Sequence, residues 1–254
     1  MNLLTQTLLL KIKIKEISVT FHDNELFAVY RYDSISRNVY EYYLTSSNNP
    51  RLQEFEKGRR LYYEIRNHYD KNNRLDSLIT KRHSNDSDTT VLPIITKYYY
   101  YKNAIRDVTL NTYKGIEYIK REKWSIFNKD GKKIFEIQEK GSGAYIYYYQ
   151  YIYEKEQLKR IESNGFIKSS YYYNDKGLLT RIVSTNSEKQ YTYYDNNLLA
   201  SYQITLDDKG YIEFSVPKYR AYNFTYDQNN LISKIIYTQI NGEDITFKFK
   251  YSFY

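Results

Sequence analysis

The chain has 254 residues, a net charge of +8, 34 tyrosines, 11 phenylalanines and no cysteine. Disulfides, thiolate metal sites and a cysteine nucleophile are therefore excluded, and no run approaches the ~18 apolar residues of a membrane helix. Tyr, Phe, Ile and Thr fit pleated strands better than helices, and alanine and methionine are scarce, so the composition predicts an all-β protein.

At the N-terminus, MNLLTQTLLL has no basic region before its leucines and no small-residue cleavage site after them, so no export signal is expected. KIKIK and ISVTF alternate as strands, and their apolar parity switches near Glu16, as a bulge would require. NPRLQEFEKG carries the helix signals: Asn49 as cap, Pro50 at the first helical position, Leu52 and Phe55 on one side, and Gly58 as the stop. One short helix is expected near residue 50. The stretch KRHSNDSDTT that contains His83 reads as a polar loop.

Residues 144–153, AYIYYYQYIY, put a tyrosine at every odd position from Tyr145 to Tyr153. In a strand these phenols share one face, and the simplest reading is one wall of a sheet with buried central members and open ends. Four segments downstream and including it superpose: YIYEKEQLKRI, YYYNDKGLLTRI, TYYDNNLLASY and FTYDQNNLISKI. Each leads aromatic residues into a polar turn and then an apolar strand, which is a β-hairpin per unit. Aligned on Tyr153, Tyr173, Tyr194 and Tyr226, the units have a long last interval that one extra hairpin, QITLDDKGYIEFSV, would fill. Looser copies lie at Tyr69 and Phe127. Gly131, Gly177 and Gly210 sit where a hairpin loop needs positive φ, and Asn196-Asn197 and Asn229-Asn230 can serve in the same way. The last strand, ITFKFKYSFY, alternates an aromatic face with Thr246, Lys248, Lys250 and Ser252.

At Tyr69-Asp70 with Leu75, Tyr193-Tyr194-Asp195 with Leu198, and Tyr226-Asp227 with Leu231, the chain resembles the YD-repeat (RHS-repeat) family over about residues 60–240. The resemblance implies a long antiparallel sheet of bacterial origin, which large members curl into a shell; this chain looks too short to close one. The expected architecture is thus an antiparallel hairpin-repeat meander of about seven units forming an open or curled sheet. It is read as one domain, 1–254, with a less regular cap over 1–60 and hairpin repeats over 61–254.

Catalysis has little to stand on. His22, His68 and His83 are not at ligand spacing, and the glycines at 141 and 143 lack the strand-to-helix context of a phosphate loop. No cofactor or metal is expected. An outer-membrane barrel is set aside because Tyr254 shares parity with Ser252, Lys250 and Lys248 rather than with the apolar face. The function expected is a non-enzymatic interaction module presenting tyrosines to a protein or carbohydrate ligand, with Tyr145, Tyr147, Tyr148, Tyr172 and Tyr193 as binding residues and the last three assigned to the exposed parity. An accessory or immunity partner of a toxin system is the alternative. Single-stranded nucleic acid, which the basic charge invites, lacks a recognised motif and is disfavoured.

Overall fold

The computed structural model describes residues 14–21, 25–35, 37–44, 62–83, 93–113, 116–141, 145–206, 219–238 and 244–253. The described residues form eighteen strands and no helix. In chain order these are β1 (Ile14–Phe21), β2 (Glu25–Tyr32), β3 (Asn38–Leu44), β4 (Tyr62–Tyr69), β5 (Leu75–His83), β6 (Ile94–Tyr100), β7 (Ala104–Tyr113), β8 (Ile116–Phe127) and β9 (Lys133–Lys140). The second half comprises β10 (Tyr145–Glu154), β11 (Gln157–Ser163), β12 (Phe166–Tyr173), β13 (Leu179–Ser184), β14 (Ser187–Tyr193), β15 (Leu199–Leu206), β16 (Tyr219–Tyr226), β17 (Ile232–Thr238) and β18 (Asp244–Phe253).

Every strand pairs antiparallel with its sequence neighbours, and β18 pairs back onto β1, so the meander closes into a single 18-stranded barrel. The expectation of an open or curled sheet is corrected here, as is the view that the chain is too short to close. Strands of only 6 to 12 residues leave enough chain for eighteen of them, and closure satisfies the two edges that an open meander would expose. β1 to β3 belong to the same barrel as the hairpins after residue 60. The expected bulge near Glu16 is present, as a register shift between Ile14 and Glu16 in the closing ladder. The helix expected over 49–58 and the turn at Asp207–Gly210 lie outside the described residues; β15 pairs directly with β16, so the described residues hold no extra hairpin between them.

The connections from even to odd strands form one rim, and their chemistry repeats. Asp70 Oδ1 accepts the backbone N–H groups of Asn72 and Arg74, Asn128 those of Asp130 and Lys132, Asn174 those of Lys176 and Leu178, and Asp227 those of Asn229 and Leu231. Three residues past the capping side chain the backbone turns left-handed, at Asn73, Gly131, Gly177 and Asn230. Asn and Gly tolerate that region; a β-branched residue does not. Gly177→Val, at φ +76°, is therefore expected to cost about 1–3 kcal/mol, read as a fall in the urea midpoint. An unchanged midpoint would contradict the assigned turn.

A tyrosine near the end of seven of the even-numbered strands has its own task. Its hydroxyl donates to a backbone carbonyl at the start of the previous odd strand: Tyr69 to Asn38 at 2.8 Å, Tyr100 to Leu75 at 2.8 Å, Tyr153 to Lys133 at 3.0 Å and Tyr173 to Leu158 at 3.0 Å. Tyr193 donates to Leu179 at 2.7 Å, Tyr226 to Leu199 at 2.9 Å and Tyr251 to Ile232 at 2.6 Å. Each phenol thus bolts its hairpin to the one before, which explains why tyrosine recurs at this slot. The alignment on Tyr194 is corrected by one position: Tyr193 makes the bolt, and Tyr194 takes the place of the turn's Asp or Asn.

Candidate functional site

Cross-strand partners share a face, so the register assigns each side chain to one of two walls. The wall carrying Tyr147, Tyr149 and Tyr151 continues through Glu136, Ser125, Asp107 and Thr96 in one direction. In the other it runs through Ile161, Ser169, Ile182, Lys189, Ile204 and Arg220. On it Asp107 is 3% exposed and Thr96, Thr109, Ser125 and Glu136 are buried. On the opposite wall Tyr148 and Tyr172 are 43% and 44% exposed. Side chains converge on the concave side of a barrel and splay on the convex side, so the phenol wall is the interior. An 18-stranded barrel is too wide for its inward side chains to fill, and the interior tyrosines 147, 149, 151, 171, 191, 202, 222 and 237 are all partly exposed.

The interior has two chemically different sectors. On β7 to β9 it is polar: Asp107 accepts ion pairs from Arg121 at 3.2 Å and Lys123 at 3.0 Å, and Glu136 pairs with Lys133 at 2.7 Å while accepting a hydrogen bond from Tyr151. Burial works to lower the Lys133 pKa, but the hydrogen bonds to Glu136 and Tyr151 outweigh it and hold the ammonium above its ordinary value. From β14 to β17 the interior is aromatic. Tyr191, Tyr202, Tyr222 and Tyr237 stack as one ladder across four strands, with successive centroids 5.7, 4.6 and 4.9 Å apart and ring planes within 25° of parallel. Their faces cover one another, so the ladder offers ring edges and hydroxyls rather than open faces. Arg220 stands two residues from Tyr222 along β16, on the same wall.

Burial raises the phenol pKa of Tyr98, Tyr151, Tyr171, Tyr191 and Tyr237, and pushes Tyr202 up to about 12. A folded pKa above the unfolded value of about 10 means that the stabilisation is complete below pH 10 and is lost as pH rises through the folded values. We expect the barrel to lose stability between about pH 10 and 12, with a later phase of phenolate absorbance, from the interior phenols, appearing in step with unfolding. Complete ionisation of the tyrosines with the fold still intact would contradict an enclosed phenol wall.

The five tyrosines singled out in the sequence do not assemble into one site. Tyr145, 65% exposed, lies at the end of its strand. Tyr147 is interior, stacked on Tyr149 at 6.5 Å with the Lys140 ammonium 5.5 Å from its ring. Tyr148 faces outward against Phe135, and Tyr172 faces outward beneath the Arg181 guanidinium. Tyr193, assigned to the exposed parity, shares the interior wall with Tyr191 and is tied to the backbone. Parity within one strand was legible, but the walls to which neighbouring strands contribute depend on bulges at the end of most hairpins, such as the shift between Thr192 and Tyr193. The ladder tyrosines were missed for the same reason: they become neighbours only through register.

The outer wall is charged at mid-strand. Arg181 with Glu188, Arg106 with Glu122, Arg160 with Glu162 and Arg31 with Glu16 form ion pairs there, and Lys248 and Lys250 are exposed. Such pairs are screened by water and add little to stability. His68 shares this wall with Ser77 and Arg66. Among the described residues no group of three or more His, Asp or Glu could hold a metal ion, and no helix is long and apolar enough to cross a membrane.

No protein-family model matches the chain, and no curated protein sequence matches it. Among solved structures it is similar to a porin-like protein from Bacteroides uniformis, at 12% identity and a TM-score of 0.52, covering 94% of this chain and 98% of that one. A second similarity, to TcdB2–TccC3, has 16% identity and a TM-score of 0.34, covering 92% of this chain and 13% of that one.

Proposed function

We propose that the chain is a non-enzymatic binding module of YD-repeat type whose barrel interior takes up an extended carbohydrate. The carrying observation is the ladder of Tyr191, Tyr202, Tyr222 and Tyr237. Its rings follow one another at 4.6 to 5.7 Å across the strands and present edges and hydroxyls, which suits a polyhydroxylated chain lying along the ladder, and the rigid rings lose little entropy on binding. Repeat membership is supported by the recurring phenol-to-carbonyl bolts and Asp or Asn turns, which give the Tyr-Asp signature a structural purpose.

A pore is the second reading, favoured by the shared barrel fold and by one rim whose connections all span five residues or fewer, while at the other rim the sequence intervals are as long as 45–61. Against it stands the charged outer wall, since Arg or Lys facing lipid at the midplane costs about 2–4 kcal/mol each.

Glycan and peptide arrays, with a dye-release assay on lipid vesicles, separate these readings. Saturable binding to one glycan class without dye release is expected, and it should persist in a triple variant carrying His22→Gln, His68→Gln and His83→Gln, because binding needs no proton carrier. Binding to peptides alone would replace the carbohydrate reading with a protein ligand. Dye release would favour the pore.

A further inference from the structure

Within that carbohydrate reading, we infer that the ligand is an acidic glycan whose oxyanions are seated at Arg220 and Lys189 on the interior wall. Arg220 is the exception among the described arginine side chains: each of the others has a carboxylate within ion-pair distance, on the outer wall, in the turns or at Asp107. Its Nε is buried with no hydrogen-bond partner. A buried guanidinium nitrogen without an acceptor forfeits solvation that nothing in the described residues returns, and with no carboxylate beside it the guanidinium keeps a charge that an incoming oxyanion would neutralise.

The surroundings agree. Lys189, Ile204 and Arg220 are successive cross-strand partners on β14, β15 and β16, which places the two cationic residues roughly 10 Å apart at the backbone on one face. No ion pair joins Lys189 to any described residue. By register the interior wall of β10 to β18 carries no carboxylate among the described residues, whereas Asp107 and Glu136 sit on β7 and β9 with cations of their own. One rung away, Tyr202 and Tyr222 offer hydroxyl donors beside the same site. Guanidinium is the cation best suited to a planar or tetrahedral oxyanion, through paired N–H donors. A sugar carboxylate and a sugar sulfate share this chemistry.

The test is calorimetric titration of the full chain with oligogalacturonate, its fully methyl-esterified form, dextran sulfate and dextran. The variants are Arg220→Gln, Arg220→Lys and, as an outer-wall control, Lys248→Gln. We expect one charged probe to bind at least about tenfold more tightly than its neutral counterpart, and Arg220→Gln to remove most of that difference. Arg220→Lys should retain part of it and Lys248→Gln all of it. Which charged probe is preferred identifies the oxyanion as carboxylate or sulfate. Equal affinity for charged and neutral forms, or equal losses in Arg220→Gln and Lys248→Gln, would overturn the acidic-glycan assignment while leaving carbohydrate binding intact. Failure of all four probes together with a blank glycan array would overturn the underlying reading.

Discussion

Tyr251→Ala is expected to lower the unfolding free energy by about 3–5 kcal/mol, the range for truncating a large buried aromatic. Tyr251 lies on β18 opposite Ile17 of β1, at the seam where the barrel closes. Its ring packs with Ile17 and Tyr30 against the cluster of Ile14, Tyr32 and Leu231. Its hydroxyl donates to the Ile232 carbonyl at 2.6 Å, and burial raises its phenol pKa well above the ordinary value. Tyr251→Phe keeps the ring and loses one hydrogen bond, so about 1 kcal/mol is expected. Urea midpoints of both variants check the pair; small, equal effects would mean that the seam does not pack as described.

Tyr222→Ala has the second largest expected effect, because Tyr222 is an inner rung of the ladder, stacked on Tyr202 at 4.6 Å and Tyr237 at 4.9 Å. Its removal loses two aromatic contacts, worth about 0.5–1.5 kcal/mol each beyond area, together with buried ring surface. Since the interior wall is only partly covered, about 2–3 kcal/mol of stability is expected to go, at the low end of the range for such truncations. Binding of the glycan should weaken at least about tenfold, since the ladder is broken in two. Tyr148→Ala, on the outer wall, should leave binding unchanged. Equal loss of binding in the two variants would place the ligand outside the barrel.

Much of this architecture is written locally in the chain. The hairpin period, the Asn and Gly positions of the turns, the bulge near Glu16 and the alternating last strand follow from residue chemistry that acts over a few positions. Barrel closure is different in kind. It depends on β1 pairing with β18, more than 200 residues apart, and on the sum of many small twists and bulges, none of which is visible in a single hairpin. The same holds for the interior. Tyr148 and Tyr172 looked like recognition residues because they leave the tyrosine row, and they do face solvent, but on the wall opposite the ladder. Arg220 carried no sequence signal at all, because its distinction is the absence of a carboxylate on neighbouring strands whose register no motif encodes.

Closure of the barrel is tested most directly at its seam. Ser18 on β1 and Lys250 on β18 are cross-strand partners on the outer wall, within the Cβ separation that a disulfide accepts with small adjustment. The chain has no cysteine of its own, so Ser18→Cys with Lys250→Cys introduces the only two thiols. Mild oxidation of the double variant, followed by thiol counting and mass measurement, should give an intramolecular disulfide in a monomer. Two free thiols, or disulfides formed only between molecules, would show that β1 and β18 are separate edges and would contradict the closed barrel.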